Sequence, residues 1–346
     1  MALEVTKFFR RYEVQIAIVN LIVALFFYLQ VKNFLSPSNI NVIFQYTGEI
    51  GILAVGEAML MIAGEIDLSP PAVANLIPLV TLGLYNSISN SIPRAAAFPI
   101  SILLGLLLSA LIGLANGIIT TKGKVSSLIT TVGTLFLING IALLYSGGYP
   151  SSFPGVFYLS GNIGVLPMPA FWSLVAAAVL ALVLYKTRQG VWTVAVGSNS
   201  VGAAEVGVPI DRVKIVNFII MSILAGGIGI IEGSRLLSVS PTNFDPSLVL
   251  EAIAAAVIGG TALVGGKGTV IGSYLGSIFI SELLNGFNVL GVSAYAFDAI
   301  IGGSIIVVMV VSGNAKAIAA RLRQGRTGEK EKERLITEEE KGKKGS

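Results

Sequence analysis

Long apolar runs separated by short polar joints make up most of this chain. A helix that crosses a bilayer needs about 20 predominantly apolar residues. Ten segments approach that description: 14–31, 43–63, 71–86, 95–120, 125–146, 170–185, 214–233, 250–265, 268–286 and 294–312. The third and eighth are short, and the joints at 64–70 and 265–268 are weakly marked, which brackets the count at nine to eleven. The pattern predicts an all-α polytopic membrane protein of about ten transmembrane helices. The run 14–29 follows basic residues but leads into no small-residue cleavage site. It reads as a retained first helix and not as a signal peptide.

Charge sets the expected orientation. With the N-terminus inside, the inner joints hold Lys7, Arg10, Arg11, Lys122, Lys124, Lys186, Arg188, Arg212, Lys214 and Lys267, and the outer joints hold Lys32, Arg94 and Arg235. Basic residues favour the cytoplasmic side, so both termini are expected inside. The expected organisation is a cytoplasmic N-terminus (1–13), a transmembrane domain (14–312) with a cytoplasmic loop (186–213), and a charged, disordered cytoplasmic tail (313–346). After Leu322 the tail has almost no apolar residues with which to fold. It is either simply solvated or grips anionic lipid or a partner.

Of 346 residues, 54% are hydrophobic and 12% charged, too apolar a balance to cover a water-facing surface. The chain has no Cys and no His, which excludes disulfides, thiol and imidazole catalysis and most transition-metal sites. No cofactor is expected in this chain. Forty glycines suit helices that pack closely in lipid.

Candidate chemistry lies at the interruptions. In AGEIDLSPPA (63–72), Gly64 can end a helix in a left-handed cap, Ser69 can cap the next and Pro70 suits its first position. Asp67 then stands near a positive helix end. The stretch reads as a capped turn or as a broken helix on a substrate path. Glu49 and Glu57, eight residues apart, fall on broadly similar faces of the second segment, and acids at that depth face a cavity or a partner. Asn116, Thr130, Thr131, Thr134, Asn139 and Asn217 could join such a cavity or form interhelical hydrogen bonds. That inventory suits a neutral polyol better than an ion. Gly259, Gly260, Gly265, Gly266 and Gly268 surround Lys267. A phosphate loop would need Lys where Gly266 stands, so these glycines read as turn and packing residues.

Two loops stand out. The outer loop 147–169 is uncharged and rich in Gly, Pro and aromatics, and reads as a re-entrant cap, a docking surface or a plain irregular loop. In the inner loop, residues 200–206 can form a short helix, capped by Asn199 or Ser200 and ended by Gly207.

Together these stretches resemble the ribose-type permease family, the membrane subunits of ABC importers for simple sugars. The family signature Gly-Ile-Asp-Leu-Ser is similar to Glu65-Ile66-Asp67-Leu68-Ser69, preceded here by Gly64. The block 251–303 and the loop TRQGVWTVAVGSNSVGAAEVGVPIDRVKI also match, and the similarity runs over 34–311. The resemblance implies a multi-pass cell-membrane protein that is not itself an enzyme. Its implied partners are a second permease copy, a cytoplasmic ABC ATPase holding ATP and Mg²⁺, an extracellular sugar-binding protein and membrane lipid, with no nucleic acid. The signature match covers Gly64, Asp67 and Ser69, and the polar residues Glu57, Asn116, Thr131 and Asn139 are expected to join them on the substrate path. The resemblance assigns coupling to the ATPase to Asn199, Ala203, Ala204, Glu205, Gly207 and Val208. The family's Glu-Ala-Ala…Gly pattern, aligned on Gly207, meets Ser200, Val201 and Gly202, and a Gly-Ala-Ala-Glu run lies shifted at 202–205. The family usually has Gly at the position of Glu65 and Val-Gly at Pro70-Pro71. Related substrates remain open: nucleosides, a sugar-derived signal or branched-chain amino acids. An ion-coupled carrier is the alternative outside the class.

Overall fold

The computed structural model describes residues 12–293 with Ala296, Ala299, Gly302 and Gly303. Two compact units divide the chain, Met1–Ala294 and Tyr295–Ser346, and every helix named below belongs to the first. The rest of the expected tenth segment (294–312), the tail and most of the N-terminal segment lie outside the described residues.

Within residues 12–293, twelve helices follow in order: α1 (Tyr12–Gln30), α2 (Pro37–Ile62), α3 (Pro70–Ile88), α4 (Arg94–Thr121), α5 (Ser127–Ser146), α6 (Phe157–Ser160), α7 (Met168–Lys186), α8 (Arg188–Ser198), α9 (Ser200–Glu205), α10 (Ile210–Leu236), α11 (Ser247–Ile258) and α12 (Val270–Val289). By length and composition, seven of the described helices can cross a membrane: α1, α3, α4, α5, α7, α10 and α12. The protein is a polytopic, all-helical membrane protein. Its exposed apolar residues form continuous stripes, such as Leu21, Leu25 and Leu29 on α1 and Leu103, Leu107 and Leu111 on α4. Lipid covers such stripes without cost, whereas water does not.

α2 is the centre of the bundle. From Ile50 to Ala63 its apolar side chains are all buried, packed by α7, α10, α11 and α12. Val55, Met59 and Ile62 meet Ala177, Leu180 and Leu184 of α7 and Val270 of α12. At about 1.5 Å per residue, its 26 residues run about 39 Å, enough to cross a bilayer. It is more polar than the seven because protein, not lipid, surrounds it. α4 and α10 touch at backbone distance. A Cβ on Gly113 or Gly117 would lie 2.4 Å or 2.8 Å from backbone atoms of α10.

The expected segment 250–265 is corrected. α11 stops at Ile258, and its 12 residues rise only about 18 Å. Gly260 takes a left-handed φ of 96°, and Thr261 N–H bonds to Ala256 O, which closes the helix. A short connector then leads to α12, where Thr269 caps the first turn by accepting from Gly272 N–H.

The loop 147–169 is ordered. β1 (Ser151–Ser152) pairs antiparallel with β4 (Ser238–Val239), and β2 (Asn162–Ile163) with β3 (Leu166–Pro167). Phe153 and Leu159 are buried, while Tyr149 and Ile163 stay exposed. The loop is therefore a packed cap on the bundle end and not an irregular strand of chain.

Candidate functional site

The break between α2 and α3 is a helix stop, a turn and a restart. Gly64, at φ 82°, lets its own N–H reach Met61 O while Glu65 N–H reaches Leu60 O. This double closure is the Schellman cap that glycine permits. Ser69 does stand at the head of α3 with Pro70 after it, but it makes no side-chain cap. Its hydroxyl donates instead to Asp67 Oδ1 at 2.6 Å, and Ser69 N–H bonds to the same oxygen at 2.8 Å. Ser69 has φ −80° and ψ −16° where a capping residue is extended, Pro70 and Pro71 have no N–H to offer, and Ser69 Oγ accepts from Asn116 instead.

Around this turn the bundle places a buried polar network. Glu57 Oε1 accepts from Asp67 N–H at 3.3 Å. Asn116 Nδ2, from α4, donates to Ser69 Oγ at 3.1 Å, and Thr134 of α5 lies 2.6 Å from Asn116 Oδ1. Thr131 accepts from Leu68 N–H and Ser127 from Ile66 N–H, so α5 satisfies the backbone of the turn. Glu57 and Asp67 are fully buried, and Glu57 Oε2 and Asp67 Oδ2 find no donor among the described residues. An unpaired carboxylate oxygen can take a proton, a water or a solute hydroxyl. No group of three or more acidic residues able to hold a metal ion occurs among the described residues.

Glu57, Asp67, Ser69, Asn116, Thr131 and Thr134 thus converge. The other expected residues do not. Asn139 is half-buried with Oδ1 unpaired and makes no bond to this network. Asn217 bonds to Met59 O and Thr193, joining α10 to α2 and α8. Glu49 is not a companion of Glu57. Eight residues advance the helix about 12 Å and rotate it about 80°, which puts Glu49 in a separate cluster with Arg235, 3.5 Å away. Sequence reasoning missed the Glu65–Lys214 ion pair, which joins the turn to the start of α10 across 149 positions. Nothing in local spacing could have revealed it.

The loop 186–213 is more helical than expected. α8 precedes α9, and Asn199 caps α9 by accepting from Gly202 N–H at 3.1 Å. Gly207, at φ 81°, ends it with Val208 N–H on Ala203 O and its own N–H on Ala204 O. Ala203 packs with Val196 and Val213, while Val201, Ala204, Glu205 and Val206 face outward. Of the glycine cluster, Gly259 and Gly260 end α11, Gly265 and Gly266 have φ of 88° and 75°, and Gly268 packs against Ile62 and Thr261. Gly266 N–H bonds to Ile62 O, the end of α2.

The sequence model of the family described as "Branched-chain amino acid transport system / permease component" matches residues 39–309. The chain belongs to this permease family. Among its relatives, the xylose/arabinose import permease protein of Sulfolobus acidocaldarius is 62% identical over 314 residues, covering 91% of this permease and 88% of that one. The ribose import permease protein of Bacillus subtilis is 33% identical over 82% of this permease and 87% of its own length. The autoinducer 2 import system permease protein of Photorhabdus luminescens is 30% identical over 84% and 86%. No solved structure matches the permease significantly. As a member of a transport family, it is a multi-pass cell-membrane subunit and not an enzyme.

Proposed function

We propose that this permease is the membrane subunit of an ATP-driven ABC importer for a simple sugar. A cytoplasmic ATPase with its ATP and Mg²⁺, an extracellular sugar-binding protein and a second permease copy complete the assembly. The observation that carries the coupling is α9. It is a six-residue helix capped at both ends that turns Val201 and Val206, 69% and 80% exposed, away from the bundle. A rigid helix with an apolar outer face suits a groove in another protein. In this reading Asn199 and Gly207 hold its shape, Ala203 and Val208 anchor it, and Ala204 and Glu205 meet the ATPase.

The sugar reading is supported by the relatives' names and by the neutral polar network at the break. The family description keeps branched-chain amino acids as the second reading. In both, Glu57, Asp67, Ser69, Asn116 and Thr131 flank the path, and nucleotide closure displaces α9 and rocks the bundle. We also propose ten membrane segments with both termini inside, α11 being a shortened one. Lys122, Lys124, Lys186, Arg188, Arg212, Lys214 and Lys267 lie in joints that this orientation puts in the cytoplasm.

Uptake into proteoliposomes tests the reading. Native permease with its co-purifying ATPase and binding protein should import xylose, arabinose or ribose only with internal ATP, and leucine should not compete. Import driven by an imposed ion gradient, with the permease alone, would refute it. The chain has no Cys, so single cysteines can report orientation directly. One at Glu205 should react only from the inside and one at Tyr149 only from the outside.

A further inference from the structure

A second polar cluster lies away from the break, where α2, α10 and α11 meet near the outer cap. Arg235 donates through Nε to Glu232 Oε2 at 2.6 Å, pairs with Glu49 at 3.5 Å and reaches Gln45 Oε1 at 3.4 Å. Glu251 of α11 is close enough for its charge to act on Glu49. The cluster continues to the cap. Gln45 Nε2 donates to Asn41, and Asn41 Nδ2 donates to Asn162 Oδ1 and Val165 O in the β2–β3 hairpin.

Two features distinguish this cluster from a structural ion pair. Glu232 is 2% exposed, yet its Oε1 is buried with no donor, although buried acceptors are ordinarily satisfied. The side chains of Glu49 and Arg235 are 21% and 25% exposed, so the cluster reaches the protein surface on one side. Two carboxyl groups, Glu49 and Glu232, share the single Arg235 guanidinium. The guanidinium is already held between two carboxyl groups, which leaves it a weak attractor for a carboxylate or phosphate on a solute. What the cluster lacks is hydroxyl donors without charge.

We propose that Glu49 and Glu232, held in place by Arg235, form an outer binding station for the hydroxyls of a neutral polyol entering the permease. The proposal rests on the sugar-importer reading and adds the station to it. Glu49 accepts the first hydroxyl from the exposed side, and the unpaired oxygen of Glu232 accepts the next. Arg235 is a positioning residue that fixes both carboxylates. Leu53, fully buried between Glu49 and Glu57 on α2, separates this station from the network at the break.

The test uses the native transporter with its co-purifying partners in liposomes, measuring xylose moved and ATP hydrolysed together. Glu232→Gln keeps the shape and an acceptor for Arg235 but turns one acceptor into a donor. Sugar moved per ATP should fall about tenfold, as expected for a lost hydrogen bond to a charged group, while binding-protein-stimulated hydrolysis is unchanged. Glu49→Gln, on the exposed side, should act in the same direction and carries the test if Glu232→Gln fails to assemble. An unchanged ratio in variants purified at native yield overturns the station. Loss of a dependence on external sodium or protons, with the sugar ratio intact, overturns it in favour of a bound cation. Native protein that moves none of xylose, arabinose and ribose with ATP overturns the importer reading itself.

Discussion

Replacing Gly197 by alanine probes the joint between the loop 186–213 and the broken helix. Gly197 lies in the last turn of α8, and a Cβ there would stand 1.8 Å from Ile62 O and 2.6 Å from Gly266 N. Real Cβ atoms essentially never approach within 3.0 Å, so α8 must retreat by about 1.2 Å. The obstacles are backbone atoms and no rotamer change removes them. Overpacking of this kind costs about 1–3 kcal/mol. The Gly266 N–H···O=C Ile62 bond of 2.9 Å joins two backbones that α8 leaves behind, so it survives the retreat. Alanine's better helix propensity returns about 1 kcal/mol, leaving a net loss of about 1 kcal/mol. For a chain of 346 residues that lowers the midpoint of heat denaturation by about 1–2 °C. Size-exclusion recovery after heating in detergent measures it. Gly133→Ala, whose Cβ meets nothing within 4 Å, is the comparison. Transport should fall with Gly197→Ala even below its melting range. If the two variants melt together and transport alike, the close joint is refuted.

Asp67→Asn keeps an acceptor for Ser69 but removes the charge beside Glu57, so purified yield should hold while uptake falls about fivefold or more, the scale of one charged hydrogen bond. Equal losses of yield and uptake would make Asp67 a structural turn residue only. Glu205→Arg, fully on the outer face of α9, should leave the fold intact and abolish co-purification of the ATPase; normal uptake would sink the coupling assignment. A double-mutant cycle of Glu65→Ala and Lys214→Ala should give a coupling of about 1 kcal/mol, since the side chains are 11% and 20% exposed and only partly shielded. Additive losses would show that the pair contributes nothing.

What was legible in the sequence was what local chemistry dictates. Gly64 and Gly207 both end helices, and Asn199 caps α9, because these conformations depend on a few neighbouring residues. The apolar runs found the lipid-facing helices for the same reason. The length of α11 was misread because alanine, valine and glycine continue past Ile258 without a polar mark, and only φ at Gly260 ends the helix. Asp67, Ser69, Asn116 and Thr131 were singled out as polar residues in apolar surroundings, but their meeting at one turn depends on how α4 and α5 pack against it. Glu49 and Glu57 were joined by spacing along one helix and parted by their neighbours, Arg235 on one side and Asp67 on the other. Pairings such as Glu65 with Lys214 carry no local signal at all.

At one end of the bundle three segments meet with almost no side chain between them. A Cβ on Gly265 would lie 3.1 Å from Gly64 Cα and 2.9 Å from Gly197 O, and one on Gly266 would lie 2.7 Å from Ser198 Cα. Ser198 Oγ adds a bond to Gly266 O at 3.3 Å. Where side chains make a contact, rotamer changes absorb part of a displacement; packed backbone has no such freedom. Asn199 follows Ser198 directly and begins α9, so a push on α9 passes through Gly197 and Gly266 to Ile62. Two residues beyond Ile62 the chain turns at Gly64, and three further on stands Asp67, bonded to Ser69 and flanked by Glu57. In the importer reading, ATP-driven movement of α9 therefore enters the buried network through glycine. The glycine-rich stretch 259–268 binds no nucleotide in that scheme. Its glycines let α11 and α12 bring a backbone close enough for the end of α2 and the end of α8 to move as one.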